Sequence, residues 1–81
     1  MNRQLTERAA QDYEEAIPAV RKAFDKQIKI LLENLRHPSI QAKKIDETND
    51  IWQGRVNQDW RFFFKIVGGT YVVLRITPHP K

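Results

Sequence analysis

Apolar residues recur at helical spacing through the first half of the chain. Thr6 suits the N-cap of a helix, and Glu7 follows it in the first turn, where the helix dipole favours an anion. Pro18 cannot continue that helix but suits the first position of a second one, which is expected to end before His37-Pro38. Residues 2–5 are predicted to form a short strand. The apolar stripes are Ala9, Ala10, Tyr13, Ala16 and Ile17 in the first helix, and Val20, Phe24, Ile28, Leu31, Leu32 and Leu35 in the second.

A period of two replaces the helical spacing in the last third of the chain. Three strand-like runs lie between Ile51 and Thr77, separated by short turns at 57–59 and at Gly68-Gly69. Residues 37–50 are predicted to be a connector. Together these elements predict an α+β fold in a single domain, residues 1–81, with a short N-terminal strand and two helices packed on one face of an antiparallel sheet with three C-terminal strands.

The hydrophobic pattern also predicts how the three strands pair, because a one-residue slip would move every side chain to the other face. A two-residue Gly68-Gly69 loop would set Phe62 opposite Arg75, placing a charge among apolar residues. A three-residue loop ending at Thr70 avoids this by setting Phe62 opposite Ile76, so we expect that loop. The face toward the helices then carries Trp52, Val56, Trp60, Phe62, Phe64, Ile66, Val72, Leu74 and Ile76. The outer face carries Gln53, Arg55, Arg61, Phe63, Lys65, Tyr71, Val73, Arg75 and Thr77.

Composition and charge narrow the classes of partner and site. The 81 residues include 14 Lys+Arg against 10 Asp+Glu, a net charge of +4 that favours an acidic partner such as nucleic acid. The absence of cysteine from the sequence excludes disulfides and thiolate zinc sites, and the two distant histidines make a poor metal site. No metal or cofactor is therefore assigned. Because Met1 leads into polar residues and no long apolar run follows, we expect a cytoplasmic protein with no membrane segment.

The cations of the predicted outer face gain nothing obvious for folding. A three-residue loop at 57–59 sets Arg55 opposite Arg61, a repulsion that costs up to about 1 kcal/mol, and the strands offer no carboxylate between them. We therefore expect an anion-binding surface here, although acidic connector residues that fold over and neutralise the face remain an alternative. Aromatic residues such as Phe63 and Tyr71 beside arginines fit single-stranded nucleic acid, in which bases stack and phosphates pair with guanidinium groups.

Several segments resemble the RelE/ParE superfamily of toxins from type II toxin–antitoxin systems. LTERAAQDYEEAIP resembles the opening strand end and helix of the family, and HPSIQAKKI resembles its basic connector. IWQGRVNQDWRFFFKI resembles the signature of an aromatic residue and an Arg on one strand, then aromatic-Arg-apolar on the next. VVLRITPHP resembles the last strand and its trailing histidine. The resemblance spans essentially the whole chain and implies a toxin that an antitoxin neutralises by wrapping around it.

The resemblance also implies roles for particular residues. RelE-like members cut mRNA in the ribosomal A site without a metal, by attack of the 2′-OH on the adjacent phosphate. Arg61 then fits a clamp on the transition state, and His79 fits the general acid because histidine exchanges protons near neutral pH. The general base stays open among Lys44, Lys43 and Glu47. The expected catalytic positions are Arg61, His79, Lys44 and Arg55, and the expected RNA-binding positions are Lys43, Phe63, Lys65, Tyr71 and Arg75.

Three functions remain open under this resemblance. The first is a ribosome-dependent mRNA endoribonuclease whose partners are the ribosome, mRNA and a cognate antitoxin. Active ribonuclease members often carry a tyrosine or a second basic residue just after the last strand, where this sequence has Pro80-Lys81. ParE-like members generally lack the full catalytic set and inhibit DNA gyrase, which is the second possibility. The third is a catalytically silent module that binds RNA or an antitoxin.

Overall fold

The computed structural model describes residues 1–79, so the predicted tail residues Pro80 and Lys81 lie outside the described part. Its elements are strand β1 (Asn2–Leu5), helices α1 (Glu7–Glu15) and α2 (Pro18–Glu33), and strands β2 (Lys43–Asp46), β3 (Ile51–Arg55), β4 (Trp60–Val67) and β5 (Thr70–Pro78). The five strands form one sheet in the order β1-β5-β4-β3-β2. The predicted α+β fold is confirmed. Two features were not expected: β1 pairs parallel to β5, and the connector contributes the edge strand β2.

Both helices begin where the local sequence predicts. The Thr6 hydroxyl accepts a hydrogen bond of 3.1 Å from the Ala9 N–H, which satisfies one free donor of the first turn. Pro18 occupies the first turn of α2. This helix ends at Glu33, earlier than expected, because the Asn34 backbone turns to φ −159° and its side chain accepts a hydrogen bond from the Arg36 N–H instead.

The helices cover one face of the sheet, and we call it the covered face. Phe24 of α2 meets Phe62 of β4 edge to face with ring centroids 5.6 Å apart, and Phe62 stacks on Phe64 at 5.4 Å. Gly54 lies opposite Phe62 on β3, and a Cβ there would come within 2.5 Å of the Phe62 ring. The absence of a side chain at position 54 therefore lets the central aromatic residue of the core pack flat against the sheet.

The hairpin of β4 and β5 is built differently from the prediction. Its loop has two residues, Gly68-Gly69, both with positive φ (52° and 78°), the combination that a tight hairpin turn of type I′ requires. The loop sets Phe64 opposite Val73. A bulge that leaves Leu74 unpaired then restores the expected pairing of Phe62 with its partner further along the strand.

The bulge changes which side chains of β5 enter the core. Tyr71 and Val73 are only 3% and 0% exposed, so their predicted place on the outer face was wrong, as was the predicted burial of Val72 and Leu74. The other hairpin follows the prediction, since Arg55 lies opposite Arg61 and the Val56 N–H donates to the carbonyl of residue 60. The Gly68-Gly69 turn therefore set the register at the start of the β4–β5 hairpin. In the β3–β4 hairpin the register is the one that the hydrophobic pattern predicts.

Helix α1 continues the hydrogen bonding of the sheet beyond the end of β1. The Thr6 hydroxyl donates to the Leu74 carbonyl at 3.2 Å. Further along β5, a carboxylate oxygen of Asp12 accepts from the Ile76 N–H at 3.0 Å and from Arg75 Nε at 2.8 Å. Among the described residues, the second half of β5 has no neighbouring strand on the side of β1, and these contacts with α1 take the place of that strand. No helix within residues 1–79 is long and apolar enough to cross a membrane.

Candidate functional site: a basic pocket on the open face

A concave pocket of about 300 Å³ lies on the open face of the sheet, the face that the helices leave uncovered. Side chains from the connector, three strands and the end of the chain's described part line it. We call it the basic pocket, and its lining residues are Gln41, Lys43, Gln53, Arg55, Arg61 and His79. None of these described lining residues is acidic, so the pocket has the charge and shape to receive an anion.

Strand pairing brings the cations of the basic pocket together. Lys43 on β2 lies opposite Gln53 on β3, and two residues further along Arg55 lies opposite Arg61 on β4. Because side chains alternate between faces along a strand, all four project to the open face. The cations therefore sit across three adjacent strands rather than along one.

Backbone carbonyls of the loop between β3 and β4 hold the two arginines. Arg61 Nη1 donates to the carbonyl oxygens of Asn57 at 2.7 Å and of Trp60 at 2.9 Å. Arg55 Nε donates to the same Asn57 carbonyl at 3.3 Å. The loop thus fixes both guanidinium groups in place without neutralising either charge.

The electrostatics of the arginine pair match this arrangement. Burial lowers the pKa of Arg61 from its ordinary value, and the neighbouring charge of Arg55 lowers it further, while Asp59 opposes the shift. Among residues 1–79, neither arginine is in an ion pair. The predicted alternative, neutralisation by acidic residues of the connector, is therefore not what the described residues show.

A backbone hydrogen bond holds His79 at the basic pocket. Its N–H donates to the Asp59 carbonyl at 2.7 Å, which ties the end of β5 to the loop that also holds the arginines. The side chain is exposed at the rim. The sequence-based grouping of His79 with Arg55 and Arg61 thus corresponds to one place in the fold.

Lys44 does not join the basic pocket, contrary to its predicted grouping. It lies opposite Trp52, so it points to the covered face, and its Nζ is 5.6 Å from the centre of the Trp52 ring. Its charge is paired with Asp50 at 3.2 Å and with Glu47 at 3.9 Å. The physical reason is alternation along β2, a strand that the sequence did not reveal, which sends neighbouring lysines to opposite faces.

The RNA-binding positions predicted on β4 and β5 separate into two groups. Phe63 lies opposite Gln53, so Phe63 and Lys65 are partly exposed on the open face beside the basic pocket. Tyr71 is buried in the core, and Arg75, which lies opposite Phe63, pairs with Asp12 of α1. The predicted place of Tyr71 beside the cations was therefore wrong, because the bulge shifts the register of β5 at that residue, whereas Arg75 keeps its expected place opposite Phe63 and is paired with a carboxylate.

Sequence reasoning missed two pocket residues and one residue behind it. Gln41 lines the pocket from a backbone with φ 49°, which is uncommon for a residue other than glycine, and no pattern in the sequence marks it. Gln53 was placed on the correct face but not in the site. Gln27 is buried beneath this region, and a polar residue inside the apolar stripe of α2 was the available signal. Among residues 1–79 no three His, Cys, Asp or Glu side chains are grouped to hold a metal.

Solved structures of bacterial toxins share this fold. The YoeB/ParE toxin from Agrobacterium tumefaciens has a TM-score of 0.82 at 15% identity, covering 99% of this chain and 100% of its own. The isolated E. coli RelE toxin has a TM-score of 0.78 at 16% identity, covering 99% and 85%. The YoeB–YefM complex from Staphylococcus aureus has a TM-score of 0.78 at 14% identity, covering 99% and 98%. These likenesses define the class as a RelE/YoeB-like toxin fold.

A comparison of sequence agrees with this class. The family model for the ParE toxin of the type II toxin–antitoxin system, parDE, matches residues 4–80. No curated protein matches the sequence. The chain belongs to the ParE toxin family, within the RelE/ParE superfamily of type II toxins. The resemblance drawn from the sequence motifs is confirmed at this level.

Proposed function

We propose that this protein is a toxin of the RelE type that cleaves mRNA on the ribosome, in the cytoplasm and without a metal, and that a cognate antitoxin neutralises it. The observation that carries the proposal is the basic pocket, where three cations and a histidine converge and no described lining residue is acidic. A polyanion with one phosphate positioned for reaction is the ligand that such a site suits best. The antitoxin partner is inferred from related folds solved as toxin–antitoxin complexes, such as the E. coli RelBE complex.

The proposed reaction is an internal transesterification of RNA. The 2′-oxygen forms a bond to the adjacent phosphorus and gives its proton to a general base. The bond from phosphorus to the 5′-oxygen of the next nucleotide breaks, and that oxygen takes a proton from a general acid. The products are a 2′,3′-cyclic phosphate and a 5′-hydroxyl. Negative charge builds up on the non-bridging oxygens in the transition state, so fixed positive groups aimed there accelerate the reaction.

Arg61 is the proposed clamp on those oxygens. Its hydrogen bonds to described residues all start at Nη1, which leaves the edge formed by Nε and Nη2 for a phosphate. Two parallel N–H groups match two phosphate oxygens, and the carbonyl contacts keep the guanidinium oriented before the substrate arrives. Arg55 supplies a second fixed charge on the neighbouring strand.

The proton transfers are assigned to the two remaining titratable residues of the basic pocket. His79 at the rim is the proposed general acid. Of the three candidates for general base, Lys43 lines the basic pocket, whereas Lys44 and Glu47 pair with one another at 3.9 Å elsewhere. Lys43 is therefore the proposed base. Phe63 and Lys65 extend the open face beyond the pocket and are proposed to hold the flanking nucleotides by stacking and by charge.

Inhibition of DNA gyrase is the second candidate function. The match to the ParE toxin model favours it, because this match compares sequences, whereas the likenesses to the RelE and YoeB toxins compare folds. A binding module that holds RNA or an antitoxin without cleaving is the third. The basic pocket does not by itself separate these three functions, so the experiment must follow the chemistry of RNA rather than growth arrest alone.

Primer extension on a defined mRNA tests the proposal. Purified protein is added to the mRNA alone and to the same mRNA in translating ribosomes, and gyrase supercoiling is measured in parallel. We expect new 5′ ends only with ribosomes and no effect on supercoiling. Loss of supercoiling without cleavage would establish the second candidate instead, and activity in neither assay would leave the binding module.

Matched variants assign the activity to the basic pocket. Arg61→Ala is expected to lower cleavage by about 10²–10³-fold, the usual cost of removing one group that stabilises transition-state charge. Lys29→Ala removes the same charge from an exposed position on α2 and should leave cleavage near the wild-type rate. Equal losses in the two variants would mean that net charge, not this site, controls activity.

A further inference from the structure

The apolar stripe of α2 is interrupted by one amide. Gln27 is 6% exposed and is the only buried polar side chain among residues 1–79. Its Nε2 donates to the Arg55 carbonyl at 2.7 Å and to the Ser39 carbonyl at 2.9 Å. Both of an amide nitrogen's donors are thus used, and both acceptors are backbone atoms outside the helix.

These two carbonyls belong to segments that line the basic pocket. Arg55 ends β3, and its own N–H donates to the Ile40 carbonyl at 2.8 Å, so the same residue is held from two sides. The segment at Ser39 and Ile40 leads directly into Gln41 and Lys43 of the pocket. The Gln27 side chain therefore links α2 to the two backbone segments that carry Lys43 and Arg55 of the pocket.

The chemistry of position 27 differs from that of its neighbours on the helix. A buried amide costs free energy unless its hydrogen bonds are made, and an aliphatic side chain would pack there without that cost. An aliphatic side chain would however leave two carbonyls without these donors and would let the strand end and the connector shift relative to each other. Directional bonds fix position in a way that apolar contacts do not.

We propose that Gln27 is a positioning residue of the basic pocket, which fixes the backbone of Arg55 against the connector so that the Arg55 side chain meets a bound phosphate. The inference rests on the proposed function of the pocket as an RNA-phosphate site. It gives a residue of α2 a part in ligand binding that acts through the backbone of Arg55 and of the connector and not by direct contact with the ligand.

A double-mutant cycle on binding tests this coupling. The probe is a fluorescein-labelled tetranucleotide with 2′-O-methyl groups, which cannot be cleaved, measured by anisotropy at low salt. Gln27→Met keeps the size of the side chain and removes the donors. We expect Gln27→Met and Arg55→Ala each to weaken binding on the order of tenfold, the size of one well-made hydrogen bond. The affinity of the double variant for the probe should be within about twofold of the affinity of whichever single variant binds the probe less tightly.

Ile28→Val is the control for stability. Ile28 is the next residue of the same helix and is fully buried, so the change lowers stability without removing a hydrogen bond to the pocket. Its affinity for the probe should stay within about twofold of wild type. Wild-type affinity in a folded Gln27→Met protein, or effects of Gln27→Met and Arg55→Ala that simply add, would overturn the inference. A wild-type protein that does not bind the probe would overturn the premise that the pocket is an RNA-phosphate site, and this inference with it, whereas primer extension with ribosomes tests the proposed function separately.

A measurement on the wild-type protein covers the case in which Gln27→Met does not fold. Hydrogen exchange of the Gln27 side-chain amide and of the Arg55 N–H is followed by NMR with and without the probe. A positioning role predicts that bound probe slows both exchanges, because binding favours the held backbone. Core amides such as Phe62 should not change. Unchanged exchange at Gln27 and Arg55 with saturating probe would overturn the inference.

Discussion

Cations near the edges of the sheet and cations in its middle have different counter-groups. Near the edges, Arg75 of β5 meets the Asp12 carboxylate at 2.8 Å and Lys44 of β2 meets Asp50 at 3.2 Å. In the middle of the sheet, Arg55 of β3 and Arg61 of β4 meet only backbone carbonyls among the described residues. A carboxylate neutralises its partner, whereas a carbonyl orients a guanidinium and leaves its charge in place. The difference separates cations that hold the fold from cations that remain available to a ligand.

Neighbouring lysines test the distinction most strongly. Lys43→Ala is expected to lower cleavage by about 10²–10⁴-fold, the usual contribution of a proton-transfer group. Lys44→Ala removes a partly exposed ion pair and should lower the free energy of unfolding by no more than about 1 kcal/mol, with cleavage unchanged. Single-turnover cleavage and urea unfolding of both variants measure this. If Lys44→Ala is the less active of the two, the assignment of faces on β2 is wrong.

The neighbouring phenylalanines of β4 provide the second test. Phe62→Ala should cost about 3–5 kcal/mol of unfolding free energy, because its ring is fully buried between Phe24 and Phe64. Phe63→Ala should leave the fold stable and weaken RNA binding by about 1–3 kcal/mol through loss of base stacking. Urea denaturation and titration with an uncleavable oligonucleotide separate the two effects. Comparable stability losses would contradict the assignment of Phe63 to the open face.

The stabilisation that Asp12 gives to β5 should depend on pH, and this dependence tests the pairing of Asp12 with Arg75. Burial opposes ionisation, but hydrogen bonds from Arg75 and from the Ile76 N–H outweigh it, so the pKa of Asp12 lies below its ordinary value of 3.8. Its stabilisation is therefore complete above pH 3.8 and is lost as the pH falls through the folded-state pKa. Asp12→Asn should cost about 1–3 kcal/mol at neutral pH, and the difference from wild type should shrink in acid.

Thermal unfolding of the wild type and Asp12→Asn between neutral and acid pH measures that difference. Glu14→Gln, an exposed change on the same helix, is the control and should show no comparable effect. A gap between wild type and Asp12→Asn that stays constant with pH would mean that the carboxylate charge does not stabilise β5.

Salt dependence gives the smallest expected effect. Each phosphate contact on single-stranded RNA contributes about −0.7 to the slope of log K against log salt. Arg55→Ala should remove about one such contact, whereas Arg75→Gln should leave the slope unchanged because Arg75 is already paired. Anisotropy titrations over a range of salt concentrations measure both slopes. Equal changes in the two variants would show that pairing with Asp12 does not withhold Arg75 from RNA.

Local signals carried much of the prediction of the fold. Thr6 and Pro18 mark helix starts by their own side-chain chemistry, so their positions were predictable. The pairing of Arg55 with Arg61 was also predictable, because the apolar pattern and the loop length agree there. At Gly68-Gly69 they disagree. The tight turn prevailed, and a bulge, which has no signature in the hydrophobic pattern, brought the apolar residues back into line.

The candidate site was predictable only in part, for a related reason. Arg55, Arg61 and His79 were grouped correctly because strand alternation and the motif both point to them. Lys43 and Lys44 could not be told apart, since the side that each faces depends on β2, a four-residue edge strand with a bulge. Tyr71 was misplaced because the sequence does not reveal the bulge in β5, and the pairing of Arg75 with Asp12 of α1 was not foreseen.

The parallel pairing of β1 with β5 constrains when the molecule can take shape during its own synthesis. The contact between Thr6 and Leu74 joins residues 68 apart in sequence, so the first strand has no partner until almost all of the described chain has left the ribosome. The cations on the open face belong to the later part of that chain. A nascent chain therefore cannot complete the basic pocket early, and the finished fold does not form beside the ribosome until translation of the sheet is nearly over.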